Sequence, residues 1–359
     1  MKGLENTLET RVPLIKPPRL QRGDTIATIS LSWGGAGMLP QRYATGVRQL
    51  ETAFDVRVLP TRHALRDDEW LARNPQARAD DLMEASSDSS VAGIVSNIGG
   101  SDSIRTLKHV DLEVIRAHPK VFMGYSDTTV THLAFYKAGV SSFYGPAILS
   151  GFAENNGLHD YLRDSVTNTI FSSTPLDVVP ENSNGWTVEY LDWFDPALQS
   201  QTRKLEPCTG WQWIHGTEVA QGRLLGGCFE VLDWMRGTSY WPSDPDWDNA
   251  ILFLETSELM PPPNTLSYFL RTLAAMGILE RLGAILLGRP GGQWNPARFT
   301  EYDQAILQVV RDEEHLELPV VTHMDFGHTD PMFVLPYGLE VRVDPQRKTL
   351  EFLEGAVSE

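Results

Sequence analysis

Between residues 24 and 147 short apolar runs alternate with amphipathic stretches, and this alternation constrains the fold more than any other feature. "DTIATISLSW" (24–33) reads as a strand. "PQRYATGVRQLETAF" (40–54) carries Tyr43, Val47, Leu50 and Phe54 at helical spacing. "DVRVLP" is strand-like, "RADDLMEASSDSS" helical, and "VAGIVSNIGG" (91–100) a strand closing on two glycines. Two short helical segments then lead to the apolar run Val121-Phe122-Met123. A helix follows from Thr128 to Lys137, with Val130, Leu133 and Ala134 on one side, and then "SSFYGPA". Strands separated by helices pair in parallel, with the helices covering both faces of the sheet. The prediction is an α/β chain with a flavodoxin-like parallel-sheet N-terminal domain. Such sheets bind ligands at the carboxyl ends of their strands.

Ser126 sits at one of those ends, on the turn "MGYSDTT" between a strand and a helix. Serine is a good helix cap, because its oxygen satisfies an orphan N–H of the first turn. A serine on a strand-to-helix turn is also how a nucleophile is lifted above a sheet. The turn reads G-Y-S-D-T and lacks the second glycine of G-x-S-x-G, so the motif alone does not choose. Gly99-Gly100 lies at a second strand end.

From about 152 to 215 the periodicity fades. The stretch holds Pro175, Pro180, Pro196 and Pro207, with Trp186, Trp193, Trp211 and Trp213. It predicts a linker with a substrate-facing loop, since long irregular segments in compact chains are often functional. Regular pattern returns with "TEVAQGRLLGG", "FEVLDWMRG", "AILFLE" (250–255), "TLSYFLRTLAAMGILERL" and "AILLGRP". The expected division is a nucleophile-bearing domain (1–155), a linker and substrate loop (156–215) and a smaller mixed α/β domain (216–359).

A net charge of −17 argues against a nucleic-acid partner. No apolar run approaches the roughly 18 residues of a membrane span, and the N-terminus shows no secretion signal. Cys208 and Cys228 are the two cysteines, without metal or disulfide spacing. None of the nine histidines falls in a zinc pattern. These features lead to the expectation of a cytoplasmic enzyme or binding protein; a homodimer with no metal or cofactor, acting on a small molecule or short peptide, is the accompanying expectation.

A serine nucleophile needs a base, and the base needs an orienting acid. Glu255 ends the apolar strand in "AILFLETSELM", where a buried carboxylate is costly unless paired. His328 sits in the polar turn of "VVTHMDFGHTDP". Ser126, Glu255 and His328 have the chain order serine, acid, histidine that α/β-hydrolases also use. Glu258 and Asp325 compete for the acid's place and His323 for the base's, and spacing does not choose among them.

Seven stretches carry a resemblance to the serine LD-carboxypeptidase family, and within it to the microcin C immunity peptidases. They are "RLQRGDTIATIS", "SNIGGSDSIRTL", "MGYSDTT", "SFYGPA", "GRLLGG", "ILFLETSE" and "DFGHTDP". The resemblance implies Ser126 as nucleophile, Glu255 as acid and His328 as base. It implies an oxyanion site from the Asp127 amide and the Gly99-Gly100 turn. The implied activity is metal-independent hydrolysis of an amide beside a carboxylate-bearing residue, in an aminoacyl-nucleotide compound or else a murein tetrapeptide. It further implies an aromatic of the irregular segment stacked on the nucleobase, with Trp186 as first candidate and Trp193 as second. Where the family has Gly-Gly-Asn this chain has Gly226-Gly227-Cys228, which puts a thiol, a poor hydrogen-bonder, near the substrate. Cys228 as a nucleophile in its own right is the lesser reading beside a buried packing cysteine.

Overall fold

The computed structural model describes residues 11–292 and 296–359. Part of the N-terminal stretch read for a secretion signal lies outside the described residues. The strands among them are β1 (Thr25–Ile29), β2 (Arg57–Pro60), β3 (Gly93–Ser96), β4 (Val121–Gly124), β5 (Ser142–Tyr144), β6 (Gln212–His215), β7 (Ala220–Cys228), β8 (Ile251–Glu255), β9 (Ala284–Gly288), β10 (Val320–Met324), β11 (Leu335–Tyr337), β12 (Glu340–Asp344) and β13 (Thr349–Phe352).

The first sheet runs β11-β5-β4-β3-β1-β2. Strands β1 to β5 are parallel in the flavodoxin-like order 2-1-3-4-5. Ile94, Val121, Phe122 and Met123 are fully buried, as a parallel sheet covered on both faces requires. The chain order reverses between β1 and β3, and the crevice for a ligand opens at the ends of those two strands. The helix Thr129–Ala138 packs behind β4 and stops at Gly139, whose φ of +78° is the left-handed cap that glycine adopts without strain.

The second sheet runs β13-β12-β7-β8-β9-β10-β6, with β7 to β10 parallel and antiparallel strands at both edges. One apolar cluster joins the two units, running from Val130 and Leu133 through Leu224 and Phe253 to Leu286 and Val321. β11 comes from the C-terminal part of the chain, yet it pairs antiparallel with β5 of the first sheet.

The irregular segment is more regular than its sequence suggested. Residues Asp160–Ile170 form a helix whose Leu162, Val166 and Ile170 are buried four residues apart. The intervening Arg163, Asp164 and Asn168 mask that spacing in a hydrophobicity reading. Beyond it the chain is loop until β6.

Candidate active site

β4 ends at Gly124, and a single 3-10 turn, Ser126–Thr128, leads into the helix behind it. Ser126 has φ +63°, a left-handed conformation that costs a non-glycine residue about 1–2 kcal/mol. The twist turns Oγ away from the helix and toward the second domain. There Oγ lies 3.1 Å from Nε2 of His328. His328 Nδ1 lies 2.6 Å from Oε2 of Glu255, which is wholly buried at the end of β8. The turn carrying His328 approaches so closely that a Cβ on Gly327 (φ +91°) would fall 2.6 Å from Cβ of Glu255.

A fourth residue binds this row together. Tyr144, at the end of β5, donates its hydroxyl proton to Glu255 Oε1 at 2.6 Å and accepts the Ser126 N–H at 2.9 Å. Burial, and next the charge of Glu255, push the phenol well above its ordinary range, so it remains a donor. Tyr144 closes a ring from the serine through the histidine and glutamate back to the serine's own backbone.

The remaining surroundings of His328 decide its charge. Tyr125 meets the ring edge-on at 4.9 Å, and burial, then the charge of Asp330, push its phenol well above its ordinary range. Glu258 Oε2 stands 3.1 Å from the same Nε2 that faces Ser126. Burial disfavours the charged ring, but Glu255 and then Glu258 outweigh it and push His328 up to about 10. The hydrogen bond from His328, against a smaller effect of burial, holds Glu258 down to about 2. Glu258 and Ser126 thus compete for one nitrogen.

Gly99 borders the serine, since a Cβ there would lie 2.9 Å from Ser126 Oγ and 3.3 Å from the Asp127 nitrogen. Gly100 (φ +142°) passes closer still to Ser32, whose Oγ would clash with a Cβ there. The Asp127 carboxylate accepts the N–H groups of Asp102 and Ser103 at 3.1 and 2.9 Å, holding the segment after the glycines against the nucleophile turn. The structure therefore brings Ser126, His328, Gly99 and Gly100 to the wall of one cavity of about 640 Å³, with Glu255 and Asp127 buried behind them.

Two expected substrate contacts lie elsewhere. Trp186 is 4 % exposed and absent from the cavity lining. Its indole N–H bonds the Pro207 carbonyl, and its ring packs against Phe299 under Arg289. Trp193 lines the cavity instead, with the Arg42 guanidinium 4.2 Å from its ring centre. Cys228 is sealed in the core beside Glu255 in register, with its thiol 3.3 Å from Glu230. Burial and the charges of Glu255 and Glu230 push that thiol well above its ordinary range, which disfavours the thiolate a nucleophile needs. The rival Asp325 is committed to Arg289 and to the Trp211 indole. The rival His323 lies 3.2 Å from Asp303, away from the serine. Among the described residues no group of three or more His, Cys, Asp or Glu is placed to hold a metal ion.

Sequence reasoning missed Tyr144 and the ionic cluster of Arg203, Glu154 and Asp330 beside the cavity. Tyr144 had a signal: "SFYGPA" ends the strand next to β4, on the edge that carries Ser126.

The domain described as the LD-carboxypeptidase N-terminal domain matches residues 26–145, and the LD-carboxypeptidase C-terminal domain matches residues 221–343. Microcin C7 self-immunity protein MccF of Escherichia coli is 27 % identical over 96 % of this chain and 97 % of its own length. A Bacillus subtilis protein named "Probable murein peptide carboxypeptidase" is 26 % identical over 96 % of both. The crystal structure of an MccF-like protein from Streptococcus pneumoniae in complex with AMP superposes with a TM-score of 0.82 at 28 % identity, covering 92 % of this chain and 98 % of that one. Fold and family together define a carboxypeptidase-type hydrolase. The chain belongs to the LD-carboxypeptidase family.

Proposed function

We propose that the chain is a serine peptidase or amidase that cleaves an amide of an aminoacyl-nucleotide compound through a covalent acyl-enzyme, the family resemblance implying a carboxylate-bearing residue next to that amide. One observation carries this reading: the continuous row from Ser126 Oγ through His328 to Glu255 and Tyr144. In the proposed reaction the neutral imidazole takes the Ser126 proton as Oγ attacks the carbonyl. The tetrahedral oxyanion is met by the Asp127 amide and the Gly99-Gly100 turn. His328 returns the proton to the leaving nitrogen, the C–N bond breaks, and water then releases the acyl group by the same route. Glu255 holds the imidazolium throughout, and Glu258 must leave Nε2 before the ring acts as a base. The nucleophile lies on the N-terminal unit (1–155) and the acid and histidine on the C-terminal unit (216–359), so catalysis depends on how they dock.

The nucleotide part of the proposal is supported by the AMP bound to the similar structure and by Trp193 on the cavity wall. The murein-named relative supports a second reading, trimming of murein tetrapeptides. Parallel assays on an aminoacyl sulfamoyl adenosine and a murein tetrapeptide separate the two. A serine-directed phosphonate should label Ser126, and absence of labelling would point to a non-catalytic binding protein. The proposal also takes the enzyme to be a cytoplasmic homodimer free of cofactor, and light scattering tests its stoichiometry.

A further inference from the structure

The cavity carries an unbalanced charge. Glu189, Glu258 and Asp330 line it, against Arg203 and His328. Arg203 is already committed. Its Nη2 is shared between Glu154 and Asp330, its Nε bonds Glu154 at 3.0 Å, and its side chain is only 14 % exposed. Arg42 feels the same two carboxylates and balances that cluster, so the unmatched charge on the cavity wall is that of Glu189 and Glu258. His328 is bracketed by Glu255 and Glu258. Arg42, behind Trp193, spends its donors on the Leu149 carbonyl, Asn155 and Gln199. The Lys204 ammonium pairs with Glu206. Among the described lining residues no cation is free to receive a carboxylate, whereas Glu189 and Glu258 are both exposed carboxylates.

The family resemblance leads to the opposite expectation, a carboxylate beside the scissile bond. A carboxylate entering here would lose its water and meet like charge without a partner, the costliest arrangement for a buried ion. An ammonium would meet the reverse, and the net charge of −17 would also draw it in.

We propose that Glu258 and Glu189 select substrates that present an ammonium group, rather than a carboxylate, on the side chain of the residue beside the scissile amide, and that this side-chain ammonium draws Glu258 off Nε2 of His328. A basic aminoacyl amide of the lysyl kind is the class that fits. Selection and activation are then one event, because the group that is recognised also frees the base to face Ser126. The inference rests on the hydrolytic reading of the site.

The test uses lysyl, leucyl and aspartyl sulfamoyl adenosine, which differ in side-chain charge. Binding is measured by calorimetry on the Ser126→Ala protein and turnover on the parent enzyme. The lysyl compound should bind about tenfold or more tightly than the leucyl one, with the aspartyl one weakest. Added salt should shrink the gap. Glu258→Gln and Glu189→Gln, each in the Ser126→Ala background and each checked by thermal melting, should reduce the lysyl-to-leucyl ratio. Aspartyl binding as tight as leucyl, a ratio that neither substitution moves, or no binding of any compound would overturn the proposal. Ordered binding with no turnover by the parent enzyme would leave the charge selection standing and refute the hydrolytic reading alone.

Discussion

Replacing Glu258 by glutamine removes one of the two carboxylates that keep His328 protonated, and the consequence can be read from the pH dependence of kcat/KM. The carboxylate oxygen lies 3.1 Å from Nε2, which places the charge centres about 4 Å apart. At that separation the attraction is about 1 kcal/mol in a water-like medium and about 4 kcal/mol near a protein surface. The Glu258 side chain is 66 % exposed, so the lower figure applies. One kcal/mol corresponds to about 0.7 pH unit. The direction follows from the chemistry: the base acts when neutral, so kcat/KM falls as pH drops through the histidine's pKa in the free enzyme. Removing the anion lowers that pKa from about 10 and moves the acid limb to lower pH by about 0.7 unit. The assay is kcat/KM for the leucyl compound, whose side chain is neutral, from neutral to strongly alkaline pH in both proteins. Molar salt, which screens beyond about 3 Å, should move the parent's limb in the same direction. A limb that stays in place or moves to higher pH would refute the argument that Glu258 holds the proton on His328.

Four further outcomes are expected. Ser126→Ala should abolish turnover while the melting temperature holds, and activity within about tenfold of the parent would remove Ser126 from the mechanism. Glu255→Gln should cost on the order of 10⁴ in kcat, far more than Glu258→Gln, and the reverse ranking would move the acid to Glu258. Tyr144→Phe removes the donor shared by Glu255 and the Ser126 amide and should lower kcat about tenfold to a hundredfold, from a charged hydrogen bond of about 1.5–3 kcal/mol, with KM little changed. Trp193→Ala should raise KM for a nucleotide-bearing substrate about tenfold, a stacking loss of about 1–3 kcal/mol, while Trp186→Ala should instead destabilise the fold by about 3–5 kcal/mol in thermal melts; if Trp186 rather than Trp193 moves KM, the stacking assignment is reversed.

The local pattern of residues 24 to 147 determined that a parallel sheet would form. Its strands are buried on both faces and an outer helix such as Pro40–Phe54 on one, and both states leave their period in the chain. The places of Ser126 and Glu255 at strand ends were legible for the same reason: an apolar run that stops at a polar residue marks where backbone leaves the core. Which acid and which histidine meet the serine was not legible from spacing. Glu255, Glu258 and Asp325 lie within about one motif length of a strand end, and the docking of two sheets put Glu255 on Nδ1, Glu258 on Nε2 and Asp325 against Arg289. The family resemblance, not the pattern, singled out Glu255. Trp186 and Trp193 are likewise seven residues apart in a segment without periodicity, and nothing local says which indole packs and which faces the cavity. The charge of the cavity was the least legible feature. It depends on Arg203 being held by Glu154 and Asp330, residues 49 and 127 positions away along the chain. A cation counted in the sequence is free to bind a substrate only when no neighbour has already claimed it, and neighbours of that kind are made by folding.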